Sequence, residues 1–156
     1  MTTRKSDLPS IIEQVKTVFE QQIPFNKLLQ MEVEALSFEG ARLRIEMRDE
    51  LVGNFIHGIL HGGVISTMLD VTGGLTAFMG LLQKMGPISN QEKVERLSKF
   101  GTIDLRVDYL RPGRGTYFIS RGALLRTGNK VAVTRMELHN DDDELIALGT
   151  GTYLSV

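Results

Sequence analysis

Between residues 9 and 23, Ile11, Ile12, Val15, Val18, Phe19 and Ile23 recur at helical spacing. The spacing predicts an amphipathic helix with Pro9 in its first turn. Pro24 ends it, and Asn26 opens a short further turn over residues 25–30. The period then changes. Residues 41–48 alternate apolar and charged without a fault, the pattern of a strand with one dry face and one wet face. Residues 31–38 form a weaker partner, and Glu39-Gly40 supplies the turn of a hairpin.

From about His61 to Gln83 the chain is apolar on nearly every side. This predicts one long helix wrapped by other structure rather than laid on a surface. Gly73, Gly74 and Gly80 each weaken such a helix by up to about 1 kcal/mol relative to Ala. They are expected where a sheet passes close. Ser89 and Glu92 form a capping box for a second, polar helix that reaches about Lys99.

Strand patterns return over residues 103–109, 116–126, 131–139 and 144–154. They are separated by the loop Arg111 to Gly115, the turn Thr127 to Lys130 and the run Asn140 to Asp143. That last run reads as a solvated turn rather than a metal site. The order is hairpin, long apolar helix, antiparallel meander. A sheet with one apolar face can bury it by curling around that helix, which gives an α+β fold. Its exposed edge strands invite pairing with a second copy.

Composition narrows the function classes. The chain has 156 residues and a net charge of −1, so there is no bulk electrostatic case for nucleic acid or an anionic membrane. It has no cysteine, which removes disulfides, a zinc ribbon and a cysteine nucleophile. Met1 to Ser10 lack the apolar core of a signal peptide, so a cytoplasmic protein is expected. The long helix is only modestly hydrophobic and carries five glycines and a carboxylate, which argues against membrane insertion. One domain over residues 1–156 is expected, with a helical extension over about residues 1–30.

The carboxylate in that helix is the main chemical signal. Asp70 is the only acid or base, histidines aside, in the 33 residues from Leu51 to Gln83. Burying a carboxylate there costs several kcal/mol unless something pairs it or uses it. The bland alternative is a structural carboxylate held by Thr or Ser neighbours. Asp70 follows His61-Gly62-Gly63 by nine residues, counted from His61. Gly62 and Gly63 open the helix, where backbone N–H groups lack intrahelical partners and the dipole adds positive character. A glycine there lets a carbonyl come close. The alternative is that both glycines only permit a tight turn. His57 and His61 are four apart, but Gly58 stands where a zinc protease helix would carry Glu, so no metal is expected.

Asn54, His61-Gly62-Gly63, Asp70 and the later run Thr102-Ile103-Asp104-Leu105-Arg106-Val107-Asp108-Tyr109-Leu110-Arg111-Pro112-Gly113 resemble the hot-dog thioesterases. Within that superfamily they resemble the PaaI-like acyl-CoA thioesterases. Gly101 to Asp104 and Thr127 to Val133 are similar to the bacterial YigI-type branch. The resemblance spans about Val33 to Leu154. Asn54 precedes His61 by seven residues, where relatives often have six.

The resemblance implies hydrolysis of medium- to long-chain acyl-CoA to free acid and CoA, with no cofactor beyond the coenzyme A of the substrate. It implies Asp70 as nucleophile or general base and Gly62 as the carbonyl-polarising N–H, with Gly63 beside it. His61 either orients the thioester or caps the helix. Asn54 holds the water or carbonyl, or is a turn residue. Thr102 matches a position where a hydroxyl assists the water. Arg111, Arg114, Arg126 and Gly128, with Lys130, fall in loops suited to the coenzyme A phosphates. An aliphatic acyl lining is expected from Ile65, Met68, Leu69, Phe78 and Met79.

Helix geometry adds a constraint. From His61 to Asp70 the helix turns about 900° and rises roughly 13.5 Å, so one chain cannot bring both to one substrate. Two chains with antiparallel helices can. A dimer is therefore expected; a dimer of dimers is a separate expectation, which helix geometry does not decide. The alternative functions are a non-catalytic acyl-CoA-binding protein of the same fold and a hot-dog dehydratase or hydratase, whose Pro-Gly-rich His loop is missing here.

Overall fold

The central helix α3, Gly62–Met85, is the axis around which the rest of the chain is laid. Thirteen of its residues are buried, and Met68, Leu69, Leu75, Ala77 and Met79 are fully so. By length and composition alone α3 could cross a membrane, but 67% of its most apolar stretch is buried inside the fold. The computed structural model describes residues 8–86 and 89–154. Most of the polar start read at Met1 to Ser10, namely residues 1–7, lies outside them.

The N-terminal segment forms α1, Leu8–Thr17, and α2, Pro24–Leu29. The expected single helix over residues 9–23 is corrected in one respect. After Thr17 the coil widens into a π-helical turn over Val18–Gln22 before Pro24 starts α2. The turn carries Phe19, which meets Phe78 of α3 edge to face with centroids 6.0 Å apart. It also carries Glu20, whose carboxylate accepts the Val33 N–H at 2.6 Å.

Strands β1 (Glu32–Leu36) and β2 (Gly40–Glu46) form the expected hairpin. β6 (Tyr117–Thr127), β7 (Val131–Asn140) and β8 (Leu145–Leu154) form a meander, and β5 (Gly101–Tyr109), expected as its first strand, lies instead at the far edge against β8. Together they make one antiparallel six-stranded sheet in the order β1-β2-β6-β7-β8-β5. β1 and β5 are its edges. The sheet curls around α3, the α+β arrangement expected from the sequence. A short ribbon that the sequence did not signal, β3 (Val52–Asn54) with β4 (Ile59–Leu60), precedes α3 and fixes its start. These two strands are too short for periodicity to register.

The helix glycines have the predicted cause. A Cβ on Gly73 would collide with the Tyr153 hydroxyl and lie 2.7 Å from the Met136 sulfur. One on Gly80 would lie 2.6 Å from Leu124. The buried hydroxyls of Thr72 and Thr76 donate to the carbonyls four residues back, at 2.6 and 2.8 Å, so they need no outside partner. Helix α4, Asn90–Ser98, starts with the expected capping box. The Ser89 Oγ accepts the Glu92 N–H, and the Glu92 carboxylate accepts the Ser89 N–H.

The expected acyl lining is redrawn. Ile65, Met68, Leu69 and Met79 pack into the sheet-facing core and are at most 3% exposed. Only Phe78 of that set is partly accessible. The stripe of α3 left partly or fully open by this chain runs through Gly63, Ser66, Thr67, Asp70, Val71 and Phe78.

Candidate active site

His61 ends the β3–β4 ribbon in an extended conformation, φ −64° and ψ 134°, and its side chain caps α3. Nδ1 accepts the Gly63 N–H at 2.8 Å. A ring nitrogen that accepts carries no proton, so the neutral ring is protonated at Nε2. The Val64 and Ile65 N–H groups both reach the His61 carbonyl. Gly62 is thus the one first-turn residue whose N–H has no partner among the described residues. It is partly exposed at the positive end of the helix dipole.

Gly62 is held from outside its helix. The Tyr109 hydroxyl, at the end of edge strand β5, donates to the Gly62 carbonyl at 3.0 Å. The Tyr109 ring lies where a Cβ on Gly62 would be 3.4 Å away. Gly63, expected beside it in substrate contact, has its N–H occupied by His61. Its carbonyl accepts the Ser66 and Thr67 hydroxyls.

Two turns along the helix, Asp70 sits half-exposed on the open stripe. Its Oδ1 accepts the Thr102 hydroxyl at 3.0 Å and the Tyr153 hydroxyl at 3.3 Å. The Tyr153 hydroxyl also reaches the Asp70 main-chain carbonyl at 3.0 Å. Oδ2 has no partner among the described residues, so one oxygen is fixed and the other remains for a reactant. Burial, and next the charge of Asp70, push the Tyr153 phenol well above its usual range. It stays a proton donor at any ordinary pH.

Tyr153 was not anticipated from the sequence. It is one more apolar-facing position on β8, and nothing local marks it. The signal available was spatial: register pairs Thr102 with Tyr153 across the β5–β8 ladder, so both side chains share the face turned to α3.

The other expected site residues divide. Asn54 ends β3, and its side-chain oxygen accepts the N–H groups of Ile56 and His57 at 3.1 and 3.3 Å, the turn role set beside the catalytic one. Arg111 donates to the Leu145 carbonyl and Arg114 to that of His57. Their loop packs on Leu60 through Gly113, so both guanidinium groups lie at the Gly62 end of the molecule. Arg126 and Gly128 lie elsewhere. With Lys130 they line an open depression of ≈ 420 Å³ at the β6–β7 turn. Lys84, near the end of α3, donates to the Thr127 and Gly128 carbonyls at that turn. The turn is about 21 Å along the helix from Asp70. No cluster of three His, Asp or Glu side chains able to hold a metal occurs among the described residues.

In one chain Gly62 and Asp70 stand about 12 Å apart along α3. The donor and the carboxylate are both present and neither reaches the other.

Comparison with known proteins gives a consistent picture. The family model of the thioesterase superfamily matches residues 57–147. The chain is 49% identical over 140 residues to the medium/long-chain acyl-CoA thioesterase YigI of Escherichia coli strain K12, covering 90% of each chain. The same identity and coverage hold for the protein of that name in Salmonella typhimurium. The crystal structure of a Shewanella oneidensis protein related to the thioesterase superfamily superposes with a TM-score of 0.92 at 45% identity, covering 99% of this chain and 100% of that one.

Proposed function

The chain belongs to the thioesterase superfamily, and from that premise we propose that it hydrolyses medium- and long-chain acyl-CoA at sites shared between two copies. The observation that carries the site is the pairing on β5. Thr102, at one end of this edge strand, holds Asp70, and Tyr109, at the other end, holds Gly62. A second copy pairing antiparallel along β5 brings each Thr102 beside the partner's Tyr109. Each Asp70 then lies by the partner's Gly62. An unpaired edge is otherwise a liability in a soluble protein.

In such a site the thioester carbonyl oxygen accepts the Gly62 N–H, which stabilises the negative charge that develops there during attack. Oδ2 of Asp70 either attacks the carbonyl carbon or removes a proton from an attacking water. If water attacks, Asp70 takes its proton and passes it to the coenzyme A sulfur as the C–S bond breaks. If Oδ2 attacks, the C–S bond breaks to leave a mixed anhydride and a thiolate. A water then hydrolyses the anhydride, giving the free acid, the Asp70 carboxylate and the proton the thiolate takes. Thr102 fixes Oδ1 in either case. His61 serves by capping α3, which keeps the Gly63 amide occupied and leaves that of Gly62 as the donor.

Arg111 and Arg114, each anchored by one N–H to a backbone carbonyl, keep further donors for the phosphates of coenzyme A. Arg126, Gly128 and Lys130 form a second basic edge at the far end of α3. The open stripe of α3 beyond Asp70 offers Val71 and Phe78, apolar and without hydrogen-bonding groups, which favours an aliphatic acyl chain.

The test is a panel of acyl-CoA substrates of increasing length, with the freed thiol followed by a thiol reagent. Turnover of decanoyl- and palmitoyl-CoA above hydroxybenzoyl-CoA is expected. Binding of these substrates without thiol release would make the chain an acyl-CoA-binding protein instead.

A further inference from the structure

We propose that Tyr153 is a positioning residue for catalysis: its buried hydroxyl holds one oxygen of Asp70 so that the other faces the reactant. The inference rests on the reading of Asp70 given above and adds a residue to it. Three observations carry it.

The first is the contact itself. The Tyr153 hydroxyl lies 3.0 Å from the Asp70 main-chain carbonyl and 3.3 Å from Oδ1. Its one proton is shared between the two acceptors, nearer the carbonyl, so it ties main chain and side chain of Asp70 together. Thr102 approaches the same Oδ1 from β5, so the carboxylate is oriented by two strands at once.

The second is the space made for it. Gly73 and Gly74 face the Tyr153 ring from α3, and any Cβ at Gly73 would collide with its hydroxyl. Gly151, two residues before on the same face of β8, clears the ring from below, where a Cβ would lie 2.7 Å from Cε2. Phe100 stacks on the ring with centroids 5.9 Å apart and planes 1° from parallel. A helix gains nothing from adjacent glycines in its middle. Here they let a phenol reach a helix carbonyl and the carboxylate beyond it.

The third is the absence of competing charge. Apart from His57 and His61, α3 and the ribbon before it carry no titratable group but Asp70 between Leu51 and Gln83. On β5 the nearby Asp104 pairs with Thr152 across a bulge, so it points to the opposite face from Thr102 and Tyr153. Thr134, on β7, is the remaining polar group at the phenol. The phenol and the Thr102 hydroxyl are thus the side-chain donors that hold Oδ1.

The experiment is Tyr153→Phe in the full chain, read by the pH profile of kcat together with KM and Tm. The ring, its stacking and its volume are kept, and one proton donor is lost. The acid limb of kcat should move up by about one pH unit and kcat should fall about tenfold. KM should stay within about twofold, because the hydroxyl touches no substrate. A purely structural tyrosine would lower Tm and leave the limb in place, and that result overturns the proposal. If the variant does not fold, 3-fluorotyrosine at position 153 decides. Its more acidic phenol should move the limb down, and an unmoved limb overturns the proposal equally. Asp70→Asn run in parallel separates the two levels. A fully active Asp70→Asn overturns the site reading and this inference together. An inactive Asp70→Asn beside an unmoved Tyr153→Phe limb overturns this inference alone.

Discussion

The Tyr109 hydroxyl donates to the Gly62 carbonyl across 3.0 Å, tying the end of an edge strand to the first residue of the central helix. Seven residues earlier the same strand supplies Thr102 to Asp70. β5 therefore fixes both groups proposed to react while its outer edge has no partner strand, with Ile103 and Tyr109 more than half exposed. The strand that holds the two half-sites is also the strand through which a second copy can bring them together.

Asp70→Asn should abolish turnover and spare the fold. Asn keeps an oxygen to accept from Thr102 and Tyr153, so both bonds to Oδ1 survive. It can neither attack nor take a proton. Loss of a general base alone lowers the rate about 10²–10⁴-fold. Measured on one preparation, kcat should collapse with Tm unchanged or higher. A collapse of both together would assign Asp70 to structure.

His61 should act on the helix start rather than on the thioester. His61→Ala removes the acceptor for the Gly63 N–H and should cost about 0.5–2 kcal/mol of stability. His61→Asn restores a favourable cap. Denaturant titration should show the loss in the first variant and its recovery in the second, with kcat following the same order. If His61→Asn is stable but inactive, the ring has a chemical role of its own.

The hairpin, the long helix and the strand segments were legible because they rest on period and on turn residues; the place of β5 beyond β8 was not, since it depends on a crossover that no local pattern encodes. Asp70 and Gly62 stood out as candidates because a lone carboxylate and a helix-opening glycine pair are anomalies against an apolar background. Tyr153 and Tyr109 did not, since an aromatic on a strand is what strands ordinarily carry, whether inward like Tyr153 or at an exposed edge like Tyr109. Their roles depend on register between segments 47 to 83 residues apart, which no local window contains. The roles of His61 and Asn54 each stood between two alternatives, and it took hydrogen-bond geometry to find the cap and the turn.

Gly73→Ala tests the packing that brings Tyr153 to Asp70. The added methyl would collide with the Tyr153 hydroxyl and lie 2.7 Å from the Met136 sulfur. Overpacking of this kind costs about 1–3 kcal/mol, against a gain in helix propensity of at most about 1 kcal/mol. Net destabilisation is expected, with kcat falling more than the folded fraction. A more stable variant would mean that the helix can shift away from β8 freely.

A site shared between copies makes a prediction that a site within one chain does not. Gly62→Pro deletes the one N–H proposed to polarise the thioester. Proline suits the first helical position, and His61 before it already has the extended ψ of 134° that a following proline requires. A Cβ there makes only ordinary contact with Tyr109, at 3.4 Å. Homodimers of Gly62→Pro should therefore fold and fail to turn over, as should those of Asp70→Asn. In a mixed dimer, one site joins the intact Gly62 of the Asp70→Asn copy to the intact Asp70 of the Gly62→Pro copy. The second site carries both defects. Equal mixing with free exchange makes half the molecules mixed, so recovery should approach about a quarter of wild-type turnover. Exchange is verified by mass spectrometry of intact complexes and recovery by thiol release. Full exchange with no recovery would place donor and carboxylate in the same chain, contrary to the roughly 12 Å that separates them along α3.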